Sequence, residues 1–114
     1  MTVTNTNRTG IYMYDAVVEL EDVATIHCRE NGIRVSSTDT FPPSQLVATR
    51  CEMSNNGYDG IWLTISNNIN ITINVCLKNC ISHHNSHTGI YVAGNYVVNI
   101  HGDATAIYSN EDYG

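Results

Sequence analysis

Four side chains fall at the same place in successive stretches of this chain: Tyr12, Arg34, Trp62 and Tyr91, each two residues after a glycine. Aromatic faces spaced along one flank can stack on sugar rings while neighbouring polar groups bond the hydroxyls, which makes this set a candidate carbohydrate-binding surface. Tyr58 and Asp59 precede Gly60, and Tyr113 precedes Gly114, so adjoining loops add to the surface. Arg34 interrupts the aromatic run. The same residue types also suit an exposed strand, where Tyr and Trp stack across neighbouring strands with no ligand at all.

Metal-ligand types crowd residues 76–87, where Cys76, Cys80, His83, His84 and His87 occur together. Their spacing matches no finger or ribbon pattern. The repeat phase described below turns Cys80 inward and His83 and His87 outward or into a loop. The candidate ligands His83, His84 and His87 are therefore not expected to form a metal centre, and no cofactor is expected. Cys51 and Cys80 share an inner column on adjacent turns, where a disulfide is geometrically conceivable. With no export signal visible, all four cysteines, Cys28, Cys51, Cys76 and Cys80, are expected to be free thiols.

The carboxylates are scattered: Asp15, Glu19, Glu21 and Asp22, then Asp39, Glu52 and Asp59, then Asp103, Glu111 and Asp112. No two fall in one outward column on adjacent strands, as general acid–base work would require. Glu52 with His27 is the one acid–base pair that the phase aligns outward. No catalytic residue is assigned. The sequons Asn7-Arg8-Thr9 and Asn70-Ile71-Thr72 are short patterns expected by chance in an Asn- and Thr-rich chain.

What positions these residues is a repeat. Gly-Ile-x-aliphatic phrases begin at Gly10, Gly32, Gly60 and Gly89, 22, 28 and 29 residues apart, and Gly114 follows 25 residues later. A period of about 20–50 residues marks a solenoid, propeller or array. Within the phrase, Ile11/Met13, Ile33/Val35, Ile61/Leu63 and Ile90/Val92 take one face of a short strand, and the aromatic set takes the other. More period-two apolar residues follow in each repeat: Val18, Leu20, Ile26 and Cys28; Leu46, Ala48, Cys51 and Met53; Ile69, Ile71, Ile73, Val75 and Cys80; Val98, Ile100, Thr105 and Ile107. These runs are too short and too β-branched for helices. Asn7, Asn31, Asn56, Asn85 and Asn110 recur upstream of the glycines and predict an asparagine ladder at one bend. Ser36 to Ser44, with Asp39 and Phe41-Pro42-Pro43, reads as a projecting loop.

Three short parallel strands per turn, stacked aliphatics and an Asn ladder predict an all-β, right-handed, single-stranded parallel β-helix of about four turns, a single domain over residues 1–114. In its Gly89-Ile90-Tyr91-Val92 strand and Asn85 corner, the chain resembles the β-helix repeats of the pectate-lyase-like superfamily, particularly the NosD-like carbohydrate-binding and sugar-hydrolase repeats. The resemblance implies a module that presents an elongated flank to a polysaccharide, and the lack of an outward carboxylate pair makes the expected module non-catalytic. Its alternatives are a structural or self-assembling solenoid, and a fragment of a polysaccharide lyase or hydrolase.

The net charge of −6, with only five Lys and Arg, argues against nucleic acid and against an anionic membrane surface as partners. No apolar run of about 18 residues is present to span a bilayer. No capping element precedes Gly10, and solenoids usually cap their ends. The sequence therefore predicts an excerpt of a longer solenoid or a homo-oligomer stacked through uncapped ends.

Overall fold

The computed structural model describes residues 1–38, 44–65, 73–94 and 96–111. Among the described residues there is no helix, and the strands form three parallel sheets. The glycine sheet stacks β2 (Ile11–Tyr14), β5 (Ile33–Ser37), β8 (Ile61–Ile65) and β11 (Ile90–Ala93). The long-strand sheet stacks β3 (Val17–Glu21), β6 (Gln45–Thr49), β9 (Ile73–Lys78) and β12 (Tyr96–His101). The short-strand sheet stacks β1 (Thr2–Thr4), β4 (Ala24–Ile26), β7 (Glu52–Ser54), β10 (Ile81–His83) and β13 (Ala106–Tyr108). Each turn visits the three sheets in that order, so every strand pairs in parallel with its counterpart one turn away. This is a parallel β-helix of about four turns.

Period-two alternation sends one side of each strand into the coil. The inward columns run Ile11–Ile33–Ile61–Ile90 and Met13–Val35–Leu63–Val92 in the glycine sheet. In the long-strand sheet they run Val18–Leu46–Val75–Val98 and Leu20–Ala48–Leu77–Ile100. Middle members are sealed, with Val35, Leu46, Ala48, Leu63 and Val75 at 0% exposure. Burying an aliphatic side chain this fully stabilises by about 1.5–3 kcal/mol. On the last turn the columns lose their cover: Val92 and Ile100 are 44% and 43% exposed although they occupy inward positions.

Corners are made by single residues in the left-handed region. One column, directly after the short-strand sheet, holds Asn5, His27, Asn55, His84 and Ser109 at φ between 52° and 57°. A second, after the long-strand sheet, holds Asp22, Arg50 and Asn79 at 51–55°, with Gly102 on the last turn. Such a conformation costs a non-glycine residue on the order of 1 kcal/mol. The backbone N–H groups of Asn5, Asp22, His27, Arg50, Asn55 and Asn79 still donate to the next turn, as from Asn79 to the His101 carbonyl at 3.0 Å.

The repeat glycines answer to crowding. A Cβ on Gly60 would lie 2.1 Å from Ser82 Oγ, 2.6 Å from the Gly89 carbonyl and 2.9 Å from Asn85 Nδ2. Only hydrogen fits where stacked backbones approach so closely.

The asparagine ladder exists with Asn56, Asn85 and Asn110 as expected, but without Asn7 and Asn31. Asn85 Oδ1 accepts from Asn56 N at 3.1 Å and Asn56 Nδ2 at 3.0 Å, and Asn110 Oδ1 accepts from Asn85 N and Nδ2 at 3.1 and 2.9 Å. The counterpart one turn below is Cys28, whose N–H donates to Asn56 Oδ1 at 3.0 Å. Ladder residues stand four before the repeat glycine, whereas Asn31 stands one before and Asn7 three before. Asn31 belongs to a second ladder, in which its Oδ1 accepts from Asp59 N at 3.1 Å and Asp59 Oδ1 accepts from Thr88 N at 2.9 Å. Asn7 is exposed and in neither.

Other expectations shift by one position. Thr25, 1% exposed, holds the inward place beside Met53, and Ile26 faces outward beside Ser54. Ser36 and Ser37 belong to β5 rather than to a loop, and Ser44 is buried. Asp39, Phe41, Pro42 and Pro43 lie outside the described residues, as do Ile69, Asn70, Ile71, Thr72, Asp112, Tyr113 and Gly114.

Candidate functional site

Strand pairing places Tyr12, Arg34, Trp62 and Tyr91 in one outward column, Tyr12 opposite Arg34, Arg34 opposite Trp62 and Trp62 opposite Tyr91. The column is not a flat platform. The Arg34 guanidinium lies 5.0 Å from the Tyr12 ring centre and 4.3 Å from that of Trp62, so it is held between two aromatic faces by cation–π attraction. This occupies one face of Trp62 and divides the flank in two.

Above the division lies a groove of about 460 Å³ lined by Tyr58, Trp62, Tyr91, Asp59, His87 and Asn31. Tyr91 and Tyr58 are 47% and 48% exposed, a large apolar payload left facing water. The invariant six-residue connections from the short-strand sheet to the glycine sheet bring Tyr58 and His87 alongside the column, their rings 5.1 Å apart. At the groove wall Asp59 uses Oδ1 to accept from Thr88 N. Among the described residues, Asn31 Nδ2 and Trp62 Nε1 are buried donors with no acceptor.

Below the division, a second depression of about 380 Å³ is lined by Arg8, Thr9, Tyr12, Glu30 and Arg34. It is charged where the first is aromatic. Arg8 Nε sits 3.5 Å from Glu30 Oε1, and Thr9 Oγ1 donates to Glu30 Oε2 at 3.5 Å. Of the five residues marked by the sequence, Tyr58, Trp62 and Tyr91 thus come together, while Tyr12 and Arg34 line a separate space. Tyr12 also stacks with Tyr14, ring centres 6.5 Å apart, and donates to Ser36 Oγ at 3.3 Å.

The histidines divide as well. His87 belongs to the aromatic groove, whereas His83 and His84 lie on the outside of the short-strand sheet and its corner. His83 Nε2–H donates to Glu52 Oε1 at 2.9 Å, and its Nδ1 meets His84 Nδ1 at 2.6 Å, leaving His83 to accept from His84 when neutral. The Tyr108 ring stacks on His83 at 5.0 Å. Hydrogen bonding from His83 holds the Glu52 carboxyl below the usual carboxylate range. The acid–base partner of Glu52 is therefore His83, not His27. Glu52 pairs in register with Ile81, which sets His83 on the diagonal within reach, while His27 is committed to a left-handed corner. Among the described residues no three His, Cys, Asp or Glu side chains converge on a point that could hold a metal ion.

One pairing had no sequence signal. Cys76 Sγ and His101 Nε2 approach to 3.2 Å on the outer face of the long-strand sheet, on adjacent turns. Their separation of 25 residues is legible only once the strand register is known. Comparison of the chain with protein-family models, with curated proteins and with solved structures yields no match, so the reading of the site rests on its own geometry.

Proposed function

We propose that the protein is a carbohydrate-binding β-helix module whose ligand, a polysaccharide segment, lies in the groove of Tyr58, Trp62 and Tyr91. The observation that carries this reading is the combination in one open groove of three aromatic side chains, Tyr58, Trp62 and Tyr91, with the polar residues Asp59, His87 and Thr88. Aromatic faces bind the apolar faces of sugar rings, and a few fixed polar groups select hydroxyls. The free face of Trp62 is the natural stacking surface, because Arg34 already covers the other. Affinity electrophoresis through gels containing neutral or acidic polysaccharides tests the proposal. Trp62→Ala is expected to weaken retention about tenfold, in line with the loss of a stacked ring. Tyr12→Ala, in the other depression, should leave it unchanged. Full retention by Trp62→Ala overturns the assignment.

A second reading is favoured by the exposed inward residues Val92 and Ile100. They are covered when a further turn stacks on β11, β12 and β13, contributed by the same polypeptide or by a second copy meeting it with β1, β2 and β3. A second copy would make a heterologous, head-to-tail contact. Light scattering over a concentration series tests this: growth in mass supports end-to-end assembly, and a constant monomer mass argues against it.

A further inference from the structure

The interior holds a pair of cysteines that the proposed ligand site does not use. Glu52 and Ile81 pair in register, and Ile81 N donates to the Cys51 carbonyl at 2.9 Å, so Cys51 and Cys80 occupy the same position on consecutive turns. Stacked strands repeat at about 4.8 Å, within the roughly 4.4–6.8 Å Cα separation of cystines. Both side chains point into the coil, 2% and 3% exposed. The other thiols have no such neighbour. Cys28 Sγ approaches only the carbonyls of Val3 and Ile26, at 4.0 and 3.9 Å, and Cys76 faces His101 on the outer surface.

A groove of about 350 Å³ at this corner is lined by Arg50, Cys51, Glu52, Asn79, Ile81 and Ala104. The neighbouring Cys80 holds the Cys51 thiol below the ordinary thiol range, and the same proximity pushes Cys80 up, while the Cys80 S–H donates to the Ala48 carbonyl at 3.3 Å. The two sulfurs are thus differentiated, one to attack and one to resolve.

We propose that Cys51 and Cys80 form an inter-turn cystine on exposure to hydrogen peroxide, covalently closing the segment that carries Tyr58, Asp59 and Trp62. The Cys51 thiolate attacks one peroxide oxygen, the O–O bond breaks, and hydroxide leaves with Cys51 as the sulfenic acid. The Cys80 sulfur then attacks the Cys51 sulfur. The S–O bond breaks as the S–S bond forms, and the departing hydroxide takes the Cys80 proton as water. The proton first lost from Cys51 neutralises the first hydroxide. Two thiols and one peroxide give one cystine and two waters; each sulfur is oxidised by one electron and the peroxide is reduced by two.

The full chain is treated with one equivalent of peroxide, quenched by alkylation and examined by intact mass and peptide mapping. The expected result is loss of two hydrogens and a single linked peptide pair joining Cys51 to Cys80. Closing a loop of this length should raise Tm by roughly 10 °C, reversed by dithiothreitol. The Cys28→Ser/Cys76→Ser double variant should behave the same way. Cys80→Ser should instead stop at a Cys51 sulfenic acid that dimedone traps. Oxidation confined to Cys76 or Cys28, or Cys51 and Cys80 both still alkylatable after oxidation and unfolding, overturns the proposal.

Discussion

Replacing Asn85 by Ala should be the most damaging change at any asparagine in the chain. The Asn85 side chain accepts from Asn56 N and Nδ2, and donates to the Met53 carbonyl, Ser82 Oγ and Asn110 Oδ1, between 2.9 and 3.2 Å. It is 2% exposed, so no water replaces it. In the variant Asn56 Nδ2 keeps the Thr25 carbonyl and Asn110 Oδ1 keeps Asn85 N, but the buried Asn56 N–H loses its only acceptor among the described residues. An orphaned buried donor costs about 1–3 kcal/mol, and the remaining lost bonds add on the order of 1 kcal/mol, giving a loss of about 2–4 kcal/mol. For a domain of this size that corresponds to a fall in Tm of roughly 8–16 °C. Urea titration followed by far-ultraviolet circular dichroism measures it, with Asn7→Ala as the exposed control, expected within about 0.5 kcal/mol of the parent. A loss below about 1 kcal/mol for Asn85→Ala, or an equal loss for Asn7→Ala, would refute the view that the column is an obligatory hydrogen-bond relay.

Three further outcomes are expected. Burial pushes the Tyr96 phenol up to about 12, where it donates to the Thr64 carbonyl at 2.6 Å. Because the fold favours the neutral phenol, its contribution is complete below about pH 10 and disappears as pH rises through about 12, a loss of about 1–2 kcal/mol after allowance for partial exposure. Tyr96→Phe should flatten that alkaline limb in denaturation curves taken from pH 9 to 12. At Glu52, lowered by its bond from His83, the sign is opposite: stability is present above the unfolded carboxyl pKa and lost as pH falls through the folded one. Glu52→Gln should remove that acid-side dependence, and high salt should reduce it in the parent. Gly60→Ala drives a methyl against the Gly89 carbonyl and should cost about 2 kcal/mol or more, read as a lowered urea midpoint.

The coil itself was legible because glycine and aliphatic residues recur in phase. Gly10, Gly32, Gly60 and Gly89 mark where backbones crowd, and alternation after each fixes which side faces in. Of the five recurring asparagines, Asn56, Asn85 and Asn110 each stand four before a repeat glycine and join the ladder, whereas Asn31 and Asn7 stand at other distances and do not. Counting four back from the glycine finds Cys28, Asn56 and Asn85 together. His27, Arg50 and His84 at left-handed corners carried no local signal, since neither residue type requires that conformation and stacking imposes it. Likewise Val92 and Leu63 read alike in sequence, yet one is 44% exposed and the other sealed, because burial in a solenoid depends on the neighbouring turn. The site was half legible. Column membership followed from the repeat, but the insertion of Arg34 between Tyr12 and Trp62, and the approach of His83 to Glu52, depend on side-chain reach across turns.

Connection lengths reveal where this architecture tolerates novelty. The links from the short-strand sheet into the glycine sheet, which carry Tyr58 and His87, are six residues long on every turn. Links from the glycine sheet into the long-strand sheet hold two residues after β2 and β11 but seven after β5 and β8, and they supply most of the difference between the 22-residue repeat and the 28- and 29-residue repeats that follow it. Lengthening a surface connection a few-fold costs only about 1 kcal/mol in closure entropy. That corner therefore works as an insertion port: foreign segments, such as epitopes, sensors or a second recognition loop, can be spliced after Tyr14 or Ala93 without changing the register of any column, while the opposite end of each glycine strand keeps its chemistry.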